Sequence, residues 1–398
     1  MHAETDTLVW LPWVLGAAFI LTFALRDFFS LTNGIMDGGV IWGRDFVNLW
    51  TGGHVVRAGL IDILYDPDIY NAYQQRLFPG LGSHNYSYPP LSFPLVALFS
   101  LLPYPLALAA WLGSTGALFI WAARAVWPDK GGPVILALVT PAALVNIWAG
   151  HYGFLVGALF LLGWQRLDRQ PLLAGLFFGL MLIKPHLAML IPVVLLARRD
   201  WIAIASGAAT IVVLIGLTTI LYGWQPWSDY LLRTSGVQVG MIDSAGRFFG
   251  LLSTSSMTAA LQLGASLNIA MAVQASMSVV AVTIIVLAVR RRVETSRLAL
   301  LVATATFVVL PYGFNYDLTV VAIGALALWT RPDLSPIEHR LTLLGFMSPQ
   351  LGFILAILGV PAMPLLLVAL LLVQFRVACR DAGLTAPRAA PAGAGGAR

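Results

Sequence analysis

Apolar stretches recur from end to end of this chain, separated by connectors that hold most of the charge. The first covers residues 8–25. Others follow at 91–102, 104–123, 133–149, 153–165, 171–183, 187–197, 202–222, 266–289, 298–311, 317–329, 341–359 and 361–375. Two longer polar stretches, 26–88 and 223–255, interrupt the series. Within the first of them, segments 46–58 and 68–77 are amphipathic enough to predict helices lying on a membrane surface. Several apolar runs fall short of the ~20 residues that a helix needs to cross a bilayer. The pattern therefore predicts broken or re-entrant helices. Residues 1–7 hold Glu4 and Asp6 but no Lys or Arg, so the first run reads as a retained span rather than a signal peptide.

Composition narrows the class. Of the 398 residues, 59% are hydrophobic and 10% charged, against roughly 25% charged in soluble domains. The mean hydropathy is +0.84. These values exclude a soluble enzyme, a disordered protein and a nucleic-acid binder, and leave an all-α polytopic membrane protein. The net charge of +5 is a topology signal rather than a nucleic-acid footprint. The single cysteine, Cys379, excludes an intramolecular disulfide. Residues 1–379 read as one integral-membrane domain, and the Ala-, Pro- and Gly-rich stretch 380–398 as a disordered cytoplasmic tail.

Charge placement orients the chain. With 26–88 outside and 91–102 treated as re-entrant, the basic connectors around Arg124, Arg166, Arg198, Arg290, Arg331 and Arg376 all fall inside. Arg26, Arg44, Arg57, Arg76, Lys184, Arg233 and Arg247 remain outside. Counting 91–102 as a full crossing inverts everything after it and breaks the positive-inside rule. The first arrangement gives about 12 spans with both termini cytoplasmic. It sends 26–88, the turn at 150–153, the turn at 184–186, the stretch 223–255 and the turn at 311–317 to the outer face. Chemistry is expected there.

Gly43-Arg44-Asp45-Phe46 places an Arg–Asp pair at the start of an amphipathic helix. Asp45 is a candidate general base toward a hydroxyl, with Arg44 available for a phosphate; the competing reading makes Asp45 only a helix N-cap. Asn85-Tyr86-Ser87-Tyr88-Pro89-Pro90 returns the chain to the membrane, and Tyr86 and Tyr88 either line a sugar pocket or belong to the interfacial aromatic belt. Lys184-Pro185-His186 interrupts 171–197. As one helix that stretch would be about 40 Å long, more than the ~30 Å hydrocarbon core. A hairpin with Lys184 and His186 at its outer tip resolves this. An ionisable group among apolar helices is a functional candidate by default, here for a phosphate; snorkelling to the surface is the alternative. Arg233 and Arg247 carry planar forks suited to phosphate oxygens or simply solvate their stretch. Asp66-Pro67-Asp68 imitates a metal-binding Asp-x-Asp, but the intervening proline argues against it. His54 and His84 lack metal-ligand spacing, and no Walker loop or Rossmann glycine pattern occurs.

These residues together resemble the GT-C superfamily of membrane glycosyltransferases, most closely family 87. Those enzymes are polyprenol-phosphate-mannose-dependent mannosyltransferases, similar to the mycobacterial enzymes that elongate phosphatidylinositol mannosides. The resemblance is carried by Gly43-Arg44-Asp45-Phe46, Leu64-Tyr65-Asp66, Tyr88-Pro89-Pro90-Leu91, Gly150-His151-Tyr152 and the stretch 173–185 ending in Ile183-Lys184-Pro185, and it covers roughly 40–330. It implies a GT-C-type helical bundle in the cytoplasmic membrane and an inverting transfer on the periplasmic side. A hexose moves from a polyprenyl-phosphate donor to a lipid or glycan acceptor. Asp45 would remove the acceptor proton. Lys184, with Arg44, Arg233 and Arg247 as lesser candidates, would meet the departing phosphate. Tyr86, Tyr88, His151, His186, Asn315 and Asp317 would line the substrate pocket. No cofactor, metal or nucleotide is implied. Many relatives have Gly-Gln-x-Asn where Gly150-His151-Tyr152-Gly153 stands, and a histidine near Asn315-Tyr316-Asp317. A lipid-sugar flippase or transporter, which also builds sites from broken helices, and a non-catalytic envelope-assembly subunit are the rival readings.

Overall fold

The computed structural model describes residues 3–31, 34–243 and 248–385, and among these the regular structure is helical with no strand. The chain opens with α1 (Ala3–Phe29), which contains the first apolar run, and continues through α2 (Phe46–Arg57) and α3 (Pro67–Leu77). Both short helices of the first polar stretch thus form where the amphipathic pattern puts them. Asp66 is the N-cap of α3, its carboxylate accepting from the Ile69 N–H at 3.2 Å with Pro67 in the first turn. Capping, rather than metal ligation, accounts for the Asp-Pro-Asp run.

A 3-10 turn at Pro90–Ser92 leads into α4 (Phe93–Phe99), too short to cross a bilayer and laid against α2. Then come α5 (Tyr104–Ala123), α6 (Pro141–Ala149), α7 (Gly153–Arg166), α8 (Pro171–Leu180), α9 (Leu190–Arg198) and α10 (Trp201–Tyr222). The expected hairpin is present. Between α8 and α9 the chain breaks into two 3-10 turns, Met181–Ile183 and Pro185–Ala188, with Lys184 between them. Arg198 at the end of α9 reaches back to Asp168, just before α8, at 2.6 Å. α10 then runs beside α8, and Gly175 and Gly179 lie directly on its backbone.

The second polar stretch folds as two helices, α11 (Gln225–Asp243) and α12 (Phe248–Leu252). The remainder is α13 (Ser256–Gln262), α14 (Leu267–Arg290), α15 (Thr295–Val309), α16 (Thr319–Trp329), α17 (Pro336–Phe346), α18 (Ser348–Ile357) and α19 (Met363–Thr385). Residues 380–385 of the expected tail are therefore helical, held by Arg380 on Asp333 at 2.7 Å and by Arg331 on Asp381 at 2.8 Å. Residues 386–398 lie outside the described residues.

Prolines set most of the breaks. α3, α5, α6, α8, α17 and α18 each carry one in the first turn, where the missing N–H costs nothing and the fixed φ suits a helix. The same residue inside a run would remove a ladder bond. This is why apolar runs that look continuous are divided.

The chain is a membrane protein by its apolar helices. Among the described residues, α5, α10, α14 and α19 are long and apolar enough to cross, and the α17–α18 pair, bent by 75°, makes a fifth at most. The expectation of about 12 counted every apolar run except 91–102, shorter runs included. Some of those runs form short helices such as α7 and α16, buried on nearly every side inside the bundle. A helix apolar all round reads alike whether lipid or protein surrounds it. α10 shows the opposite case, with Ile220 82% exposed on a face that only an apolar surrounding accommodates.

Candidate active site

The turns that the sequence sends to one face converge. Gly43 (φ +80°) and Arg44 (φ +41°) are consecutive left-handed residues immediately before Asp45 and α2. Gly150, the left-handed cap that ends α6 (φ +62°), packs on them so closely that a Cβ there would sit 2.6 Å from the Gly43 carbonyl oxygen. Only a glycine permits that approach. It brings the next residue, His151, into the same region as the Asp45 turn.

Asp45 does not cap α2. Its backbone is helical and its side chain makes no capping hydrogen bond; the Phe46 N–H is taken by the Gly43 carbonyl at 2.7 Å. The residue is half-buried, and its carboxylate has no hydrogen bond or ion pair among the described residues. Burial pushes its pKa above the ordinary 3.8, opposed by the nearby His84, Lys184 and Arg44. An unpartnered carboxylate of raised basicity can take a proton from a bound hydroxyl.

Opposite it lies a buried chain of polar groups. Lys184 Nζ donates to Asp317 Oδ2 at 2.5 Å and to His151 Nδ1 at 3.2 Å, and His151 Nε2 is 3.1 Å from the Tyr88 hydroxyl. An ammonium donating to Nδ1 assigns the His151 proton to Nε2, which donates to Tyr88 and leaves the phenol O–H free to donate onward. Lys184 has three N–H groups and two of them are used. The third remains available to an oxygen of a substrate. Lys184 itself is only 5% exposed, so snorkelling does not describe it; Asp317 pairs it from the 3-10 turn Asn315–Asp317 between α15 and α16.

A comparison with known sequences decides the family. The model of glycosyltransferase family 87 matches residues 86–311, more than half of the chain. This chain belongs to glycosyltransferase family 87. It is accordingly a glycosyltransferase. No curated protein and no solved structure matches it. The family match spans Tyr88, His151 and Lys184 but stops short of both carboxylates, Asp45 and Asp317.

The remaining expected site residues of this family 87 chain fall in different places. His186, beside Lys184, is half-buried with its ring 6.1 Å from Tyr312. Tyr86 is 3% exposed, its hydroxyl paired with Ser92 at 2.7 Å and its ring lying over Gly52 of α2. Asn315 donates to the Pro349 carbonyl at 2.9 Å. Tyr86 and Asn315 each have a hydrogen-bond partner inside the protein. Arg44 is held by Asp27, one Nη2 lying 2.7 and 2.8 Å from its two oxygens, with the Trp148 ring 3.8 Å away. Its buried Nε has no partner and is closed to a ligand. The pair ties the guanidinium to the end of α1. Arg233 is exposed on α11, paired with Asp229 at 3.2 Å and Asp66 at 3.5 Å. Arg247 lies outside the described residues. Sequence reasoning missed His84, weighed only as a metal ligand, whose charge reaches Asp45. A histidine two residues before the Tyr-Ser-Tyr return was the available signal.

Proposed function

We propose that this family 87 glycosyltransferase moves a hexose, mannose in the first instance, from a polyprenyl-phosphate donor to a lipid or glycan acceptor at the outer face of the cytoplasmic membrane, with inversion. The observation that carries the reading is the Asp45 carboxylate, freed from capping and set within electrostatic reach of Lys184. Asp45 acts as general base on the acceptor hydroxyl. The oxygen attacks the anomeric carbon, the bond to the lipid phosphate breaks, and the bonding pair leaves on the phosphate. Lys184 offers its third N–H to that departing charge, while Asp317 and His151 fix its position. Tyr88 and His186 line the sugar side, and Arg233 and Arg247 are outlying candidates for the phosphate.

The lipid-linked donor is supported by the apolar flanks of Lys184. The α8–α9 hairpin and α10 enclose a groove of about 320 Å³ lined by Leu182, Pro185, Met189, Ile191 and Ile211, suited to a hydrocarbon chain. The purified protein in lipid vesicles, given radiolabelled polyprenyl-phosphate mannose or GDP-mannose with a glycolipid acceptor, tests the donor class. Label passing to the acceptor from the lipid donor alone is expected. Transfer from the nucleotide sugar with no lipid intermediate would overturn the reading.

A further inference from the structure

Asp45 is aimed by a residue that pays a conformational penalty. Arg44 holds φ +41°, a region that non-glycine residues enter rarely and only under strain. Such a conformation persists only where its surroundings enforce it. Here the enforcement comes from two residues far away in sequence. Asp27, in the last turns of α1, binds Arg44 through both carboxylate oxygens. Trp148, on α6, lies under the guanidinium at 3.8 Å and donates its indole N–H to the same Asp27 at 2.9 Å. The three groups close on one another: a charge-assisted pair, a cation–π contact and a neutral donor to the shared carboxylate. The pair is largely shielded, with side chains 15% and 12% exposed.

The clamp has a place in the fold that suits a positioning role. α1 packs along α6, α6 ends at Gly150, and Gly150 lies against Gly43. One side of the clamp therefore fixes the turn before Asp45, and the other fixes the turn before His151. We propose that Asp27 and Trp148 are positioning residues for transfer: through Arg44 they hold the Gly43–Arg44 turn in the left-handed conformation that presents the Asp45 carboxylate to the acceptor. This rests on Asp45 being the base. Arg44 then serves geometry rather than donor binding.

The test compares Asp27→Asn, Arg44→Gln, Trp148→Phe and the Asp27→Asn/Arg44→Gln pair with Asp45→Asn, in vesicles, by kcat and by KM for the lipid donor. A misplacement of about 1 Å costs roughly 10²-fold in rate. Asp27→Asn and Arg44→Gln are expected to lower kcat by about that factor with donor KM unchanged, and the double variant to be no slower than either single. Trp148→Phe, which keeps a ring but loses the N–H, falls between and serves if Asp27→Asn does not fold. Full kcat in these variants beside an inactive Asp45→Asn would overturn the clamp and leave the base intact. A raised donor KM at constant kcat would make Arg44 a phosphate ligand and equally overturn it. An active Asp45→Asn would instead remove the base reading itself.

Discussion

Lys184 and Asp317 form a pair that neither residue can sustain alone. Truncating one partner of a buried ion pair leaves the other uncompensated, at about 3–5 kcal/mol. Lys184→Ala is therefore expected to unfold at markedly lower temperature as well as to lose transfer. Lys184→Met combined with Asp317→Asn removes the orphaned charge, so it should recover the unfolding midpoint without recovering transfer. Thermal unfolding in detergent beside the transfer assay separates the two effects; recovery of transfer in the double variant would count against Lys184. The proposed role of Asp45 as base implies a pH dependence. As the base it must be ionised, and burial holds its carboxyl above the usual 3.8. Activity is thus expected to fall as pH drops through a value above 3.8, and the acid limb of kcat/KM should vanish in Asp45→Asn. An acid limb at or below the ordinary aspartate value would contradict the burial argument. Lys184 was legible in the sequence because it interrupts an apolar run, and Asp45 because it pairs with Arg44 at the start of an amphipathic helix. The pairing of Arg44 with Asp27 was not, because hydrophobic periodicity carries no information on which of several loop carboxylates a guanidinium meets.

At the scale of elements, the turn at Gly150 joins α6, α7 and the Asp45 turn. Gly150→Ala places a methyl at φ +62° and within 2.6 Å of a backbone oxygen. The strain alone is worth about 1–3 kcal/mol, and the Asp45 and His151 turns must part to relieve it. The expected result is reduced stability together with lost turnover, measured by unfolding and transfer; a variant of normal activity would show that the two turns need not touch. Prolines and a capping box, Ser335 with Glu338, mark helix starts chemically, whereas the apolar pattern alone began that run at 341. The α8–α9 hairpin was readable from length against bilayer thickness. The fate of the short apolar runs was not. α7 and α16 are surrounded by protein, and nothing in a uniformly apolar sequence distinguishes a protein neighbour from a lipid one.

For the whole molecule, the Asp45, His151, Lys184 and Asp317 turns meet at one end of the bundle, whereas Arg297, Arg331 and Arg380 pair with Asp381 and Asp333 around α19. The proposed sidedness rests on the placement of basic residues. With Cys379 replaced by serine, a cysteine at His84 should be modified by an impermeant thiol reagent added outside intact cells, and one at Arg340 only after permeabilisation; the reverse pattern would invert the orientation. The central claim is narrower. Asp45→Asn, assayed for transfer from radiolabelled polyprenyl-phosphate mannose with donor binding measured in parallel, tests it most directly. Loss of a general base is expected to slow turnover by about 10²–10⁴-fold while donor binding is retained. Turnover equal to that of the unaltered protein would contradict it.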